Sequence, residues 1–197
     1  HYMPWSKLKN DFEYMQLFKS YMMRSLGWGI FTAAATYLFA VNFDPYYTGW
    51  YIAFLWIMLL LVEIDKRFML LPDVLTLPLL VLGFGYAAVN GVWLDTIDPQ
   101  LVSNAQNSFM GACAGYLMPV VASMFLVWKY PDAFGGGDIK LLAAIGAWVG
   151  LEPISYILLG SCILFALGCL IKKQRVGPFG PSIVYSTLFV CIFLFGI

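Results

Sequence analysis

The sequence predicts an all-α fold, a polytopic transmembrane bundle of six to seven helices, and three observations carry that expectation. Hydrophobic residues fill 61% and aromatic residues 18% of the 197 positions, while charged residues fill only 11%, less than half of the roughly 25% usual in soluble domains. The apolar residues gather into runs of membrane-spanning length, about 20 residues each. The basic residues fall between those runs, on one side of an alternating topology. Basic and acidic residues number 11 each, so there is no basic face for nucleic acid. No internal repeat and no long Pro/Gly/Ser linker divides the chain.

Residues 1–25 mix Lys7, Lys9, Asp11, Glu13, Lys19 and Arg24 without a compact apolar core. They predict a cytoplasmic or interfacial amphipathic segment, not a signal peptide. Residues 26–197 form the transmembrane part, with apolar runs at roughly 26–43, 49–64, 75–94, 108–128, 138–150, 153–171 and 182–197. The fifth run, about 13 residues, is short of a span and must lean on its neighbours. Gly111, Ala112, Ala114 and Gly115 in the fourth run, and Ala143, Ala144, Gly146 and Ala147 in the fifth, predict close helix–helix approach. Pro119 predicts a kink in the fourth run, and Gly177-Pro178-Phe179-Gly180-Pro181 a rigid turn before the last. Trp5, Trp50, Trp93, Trp128 and Trp148, with Tyr46, Tyr47 and Tyr130, fall near run ends and predict interfacial belts. Cys113, Cys162, Cys169 and Cys191 lie inside apolar runs without CxxC spacing, as small buried hydrophobes.

Cytoplasmic loops collect Lys and Arg. With the N-terminal segment inside and seven crossings, the inside segments hold all 11 basic residues, and the outside loops hold Asp44, Asp95, Asp98 and Glu152. Asp65 and Asp138 then share the cytoplasmic side.

Carboxylates at membrane level are costly, and the default reading of one is a functional site. Asp138 follows three glycines, Gly135, Gly136 and Gly137, at the mouth of an apolar run. Aspartate there is also a good helix N-cap, but three glycines exceed what a cap needs. They would let a peptide backbone pass close by and would tolerate positive φ. Asp65 ends another apolar run, where it is either functional or a solvated charge beside Lys66 and Arg67. Asp73 reads as the N-cap of the third span, Asp132 as a turn residue, and Glu63 as a pairing partner or an interfacial charge. Two carboxylates that share one proton can hydrolyse a peptide, the ionised one activating water and the protonated one binding the carbonyl. No Ser/His/Asp set competes, since His1 is the only histidine, and no HExxH, Cys/His metal cluster or phosphate-binding loop is present.

Three blocks of the chain resemble the type IV prepilin peptidases. Ile64-Asp65-Lys66-Arg67-Phe68-Met69-Leu70-Leu71-Pro72-Asp73-Val74-Leu75-Thr76-Leu77-Pro78-Leu79-Leu80 is similar to the family's first catalytic block. Gly135-Gly136-Gly137-Asp138-Ile139-Lys140-Leu141-Leu142-Ala143-Ala144-Ile145-Gly146 is similar to its GxGD block, and Pro178-Phe179-Gly180-Pro181 to its C-terminal signature. The resemblance runs from about residue 24 to the end. It implies a GxGD-type membrane aspartic protease with Asp65 and Asp138 as the catalytic pair. In that protease Gly135, Gly136 and Gly137 would admit the scissile strand, and Lys140 would hold or tune the nearby carboxylate unless it merely snorkels. It further implies prepilin or pseudopilin substrates, a lipid surround, the bacterial inner membrane and an active site facing the cytoplasm, with no metal or cofactor for proteolysis. Longer members carry a CxxC…CxxC domain associated with methylation of the exposed pilin N-terminus. No cysteine precedes Cys113 here, so methyl transfer, and with it S-adenosylmethionine, is in doubt. The competing readings are a presenilin-like intramembrane protease and an ion- or proton-coupled transporter.

Overall fold

The computed structural model describes residues 30, 32–34, 36, 37, 41, 45–93, 103–126, 135–173 and 177–195. The N-terminal segment 1–25, together with Trp128, Tyr130 and Asp132, lies outside the described residues. Within them the chain is helical and contains no strand. The helices are α1 (Pro45–Phe68), α2 (Asp73–Asn90), α3 (Asn104–Leu126), α4 (Gly136–Val149), α5 (Leu151–Lys172) and α6 (Gly180–Phe195). Each falls on one of the last six apolar runs; the described positions of the first run, 30–41, are helical as well. Tyr46–Lys66, Asp73–Asn90 and Leu151–Ile171 are long and apolar enough to cross a membrane, and Gly180–Cys191 is a shorter apolar helix. The chain divides within α1 into two compact units, His1–Trp56 and Ile57–Ile197. In the first, the Trp56 indole donates to Thr36 Oγ1 at 3.3 Å. The second holds both aspartates.

α4 is the central helix of this second unit. At 14 residues it is about 21 Å long, short of the roughly 30 Å hydrocarbon layer, yet Leu141 to Val149 are all buried. A helix apolar on every side needs neighbours all round, and α2, α3, α5 and α6 supply them. The tightest seam is with α3. A side chain on Gly111 would strike Gly146 and Gly150, one on Gly115 would strike Leu142, and one on Gly146 would strike Gly111. Two small-xxx-small ridges, Gly111/Gly115 and Gly146/Gly150, thus pack backbone to backbone in antiparallel sense. Close to this seam, Ser108 Oγ donates to Ala147 O at 2.6 Å. Asn107 Oδ1 accepts the Leu151 N–H at 3.0 Å, capping α5 from α3. Gly150 links α4 to α5 at φ 89°, a conformation that only glycine adopts easily.

Ser103 and Gln106 open α3 with reciprocal bonds, Ser103 N to Gln106 Oε1 at 3.1 Å and Gln106 N to Ser103 Oγ at 3.3 Å, a capping box. α3 then runs on through Pro119. Against α2 the key contact is Trp148, and here the structure corrects the expectation of an interfacial belt. Trp148 is fully buried; its Nε1 donates to Leu79 O at 2.8 Å and its ring stacks on Tyr86 at 5.3 Å. Gly83 makes this possible, because a Cβ there would lie 2.7 Å from Trp148 Cδ1. Only Cys191 of the four cysteines is buried, and Cys162 is exposed. The outward face of a membrane bundle is apolar too, so an apolar run does not imply a protein interior.

In thermal unfolding in detergent, Gly146→Ala should destabilise the protein by about 1–3 kcal/mol, the usual cost of overpacking. Gly85→Ala should be neutral or stabilising, because nothing lies within 4 Å of a Cβ at Gly85 and alanine favours the helix.

Candidate active site

The contacts of α4 define two ends of the unit. Trp93 N donates to Trp148 O at one; at the other, α1 ends and α2, α4 and α6 begin. Asp65 and Asp138 both lie at this second end.

Asp65 occupies the last turn of α1. Met69, in a left-handed conformation with φ 49°, closes the helix by donating its N–H to Asp65 O at 2.9 Å. The residue is 4% exposed, and its Oδ2 accepts the backbone N–H of Gly180 at 2.9 Å. The first N–H groups of a helix lack partners within it. Asp65 serves one such group of α6 from 115 positions away, so it is not a surface charge. A Cβ on Gly180 would fall 2.7 Å from the carboxylate oxygen.

Asp138 is the third residue of α4, whose N-cap is Gly135 at φ −70° and ψ 144°. Asp138 N and Ile139 N donate to Gly135 O at 3.1 and 3.3 Å, while the Gly135 N–H bonds the Asp138 carboxyl in return. That reciprocity is half a capping box. The expected N-cap is therefore displaced by three positions, and Asp138 contributes to the helix start from within the first turn. Burial pushes the Asp138 pKa up to about 7, the charge of Asp65 adds to the rise, and the Gly135 hydrogen bond opposes it. The two acids are thus near enough to act on each other, and each must be treated as part of a coupled pair.

None of the three glycines uses positive φ; space is what they provide. A Cβ on Gly135 would lie 3.0 Å from Asp138 Oδ2, and one on Gly137 would lie 2.8 Å from Leu71 Cβ, where the loop between α1 and α2 rests on α4. Gly136 faces open space.

Lys140 departs from expectation. Its Nζ bonds both oxygens of Asp73 at 2.7 Å, not Asp138, because residues two apart on a helix point to different sides. Asp73 in turn is not the N-cap of α2; Pro72 holds that place. The pair ties the start of α2 to the start of α4 on an exposed flank, with side chains 45% and 53% exposed. Beside Asp65, Lys66 Nζ donates to Tyr185 OH at 3.0 Å. A cleft of about 530 Å³ opens there between α5 and α6, lined by Leu164, Phe165, Cys169, Pro181, Ser182 and Tyr185 among others.

The pattern of the type IV leader peptidase family matches residues 52–170, which include both aspartates. The chain belongs to that family. It is 35% identical over 162 residues to a prepilin leader peptidase/N-methyltransferase of Dichelobacter nodosus, covering 80% of this chain and 53% of that protein. The enzyme of the same name from Escherichia coli K12 is 40% identical over 129 residues, 64% of this chain and 52% of its own length. That from Vibrio cholerae is 32% identical over 168 residues, 79% and 62%. The chain thus matches about half to three fifths of the length of these relatives. No solved structure matches it. The presenilin-like and transporter readings draw no support from these likenesses.

For this leader peptidase family member, sequence reasoning missed the part played by Gly180. The signal was present, a glycine before a proline at the start of an apolar run, which marks a helix opening with an exposed N–H. The acceptor was beyond reach, because nothing local points to a carboxylate 115 residues away.

With a raised folded-state pKa, Asp138 contributes stability that is fully present below its ordinary value of 3.8 and is lost as pH rises through about 7. Unfolding of the wild type should therefore become easier from pH 4 to pH 8, and Asp138→Asn should flatten that slope. Lys140→Met, which breaks an exposed ion pair, should cost no more than about 1 kcal/mol in the same measurement.

Proposed function

We propose that the chain is a membrane aspartic endopeptidase that removes the leader of prepilins or pseudopilins at the cytoplasmic face of the bacterial inner membrane, with Asp65 and Asp138 as its catalytic pair. The observation that supports the reading is the placement of these two carboxyls, one on α1 and one on α4, at the same end of the unit, with Asp138 raised by burial and by the charge of Asp65. Family membership and the names of the relatives agree with it.

The chemistry follows from one proton shared by two acids. The ionised carboxylate takes a proton from a water as its oxygen bonds the scissile carbonyl carbon, and the protonated partner gives its proton to the carbonyl oxygen. When the tetrahedral intermediate collapses, the C–N bond breaks. The first acid delivers its proton to the leaving amine, and the second recovers one from the hydroxyl, so both return to their starting states. In this reading proteolysis needs neither metal nor cofactor, and S-adenosylmethionine would enter only with a methyltransferase part.

Gly135 and Gly136, both exposed, leave the approach to Asp138 free of side chains, which suits an extended strand crossing the end of the bundle. Lys140, held by Asp73, serves to fasten that entrance and does not contact the scissile bond. Lys66 and Lys140 lie at the same end as the aspartates, in keeping with a cytoplasmic orientation, and the surrounding partner is lipid.

The reading is tested by changing Asp65 and Asp138 separately to Asn and following cleavage of a purified prepilin in detergent. The amide oxygen introduced by Asp65→Asn can still accept the Gly180 N–H, so the fold should persist while cleavage falls by roughly a thousandfold or more in either variant. Activity that survives either change would reject the pair. Mass spectrometry should place the cut before the apolar segment of the substrate; cuts inside it would reject leader removal.

A further inference from the structure

Gly180 does more than turn the chain into α6. Its N–H is one of the orphan donors of that helix, and the donor next in line is missing because residue 181 is proline. Ser182 N and Ile183 N are already given to Phe179 O at 2.9 and 3.2 Å. The acceptor that the fold presents to Gly180 N is Asp65 Oδ2, at 2.9 Å in a buried setting. Because a Cβ at this position would sit 2.7 Å from that oxygen and 3.1 Å from the carboxyl carbon, only glycine lets the backbone reach the acid this closely. Hydrogen bonds to a carboxylate favour its charged form, and the N-terminus of a helix favours negative charge.

We propose that Gly180 is a positioning residue which, through its backbone N–H, anchors one oxygen of Asp65, favours its charged form and fixes the direction of its other oxygen toward the reacting groups. The inference rests on the peptidase reading above and adds to it a residue that holds one of the two acids in place. Asp138 has a backbone partner of the same kind in Gly135; what sets Asp65 apart is that its partner belongs to a different helix, α6, and approaches so closely that only glycine fits. Three other charged groups at this end are turned elsewhere. Lys66 reaches Tyr185 from α1, and Lys140 and Asp73 hold each other across α4 and α2.

Two variants test this. Gly180→Ala keeps the N–H but pushes the carboxylate away, and replacement of Gly180 by glycolic acid removes the N–H while adding no atom. In both, kcat for prepilin cleavage should fall at least tenfold with KM unchanged, and the acid limb of the kcat profile should move to higher pH by about one unit. The glycolate variant guards against a failure of the alanine variant to fold. Wild-type kcat and pH profile in the glycolate variant would overturn the proposal, as would a loss of activity that tracks thermal stability without a shift in the profile. Either result would leave the peptidase reading standing so long as Asp65→Asn is inactive, whereas an active Asp65→Asn would remove the reading itself.

Discussion

The backbone contact between α3 and α4 is the constraint on which the rest of the second unit depends. Where Gly111 meets Gly146, and Gly115 meets Leu142, there is no room for even one methyl group on either ridge. In a membrane the hydrophobic effect does not press helices together, so close van der Waals contact must do so. The seam sets how far α4 slides along α3. Ser108 and Asn107, bonded to Ala147 O and Leu151 N, fix the register with polar contacts close by. Since α4 is one continuous helix over its 14 residues, what is set at Gly146 is set also at Asp138, about two turns away.

The second constraint is electrostatic. Two carboxyls at the edge of a lipid-surrounded bundle are expensive unless their oxygens are met by donors. Here each meets the backbone N–H of a glycine at the start of a helix, Gly180 of α6 for Asp65 and Gly135 before α4 for Asp138. The same glycines leave the space that the acids occupy. Structural and chemical readings of these aspartates are therefore not rivals, because the same backbone contacts that cap the helices hold each acid in place for the chemistry proposed above. Fixed donors of this kind would need no rearrangement if charge developed on these carboxyls.

Much of this was readable from the residues. The last six apolar runs are six helices, the small residues of the fourth and fifth runs do form the tight seam, and both aspartates were singled out from their place at the ends of apolar runs. What was misread involved side chains with more than one place to go. Trp148 near a run end looks interfacial, but Gly83 on another helix opens a buried slot for it. Lys140 near Asp138 in sequence looks like its partner, but helical geometry turns it toward Asp73. The glycines before Asp138 were expected both to leave clearance and to tolerate positive φ, and the structure uses only the clearance.

By itself the sequence determined the class of the molecule and the position of each apolar helix, because those follow from how many consecutive residues tolerate lipid, a local property. It also marked the two acids, since a charge at the end of an apolar run is conspicuous whatever the fold. Only the tertiary structure decided which groups meet. That Asp65 caps α6, that Asp138 is raised by burial and by Asp65, and that Lys140 belongs to Asp73 all depend on distant helices arriving against one another. Contacts of that kind are set by the fit of whole helix faces, and no window of neighbouring residues contains them.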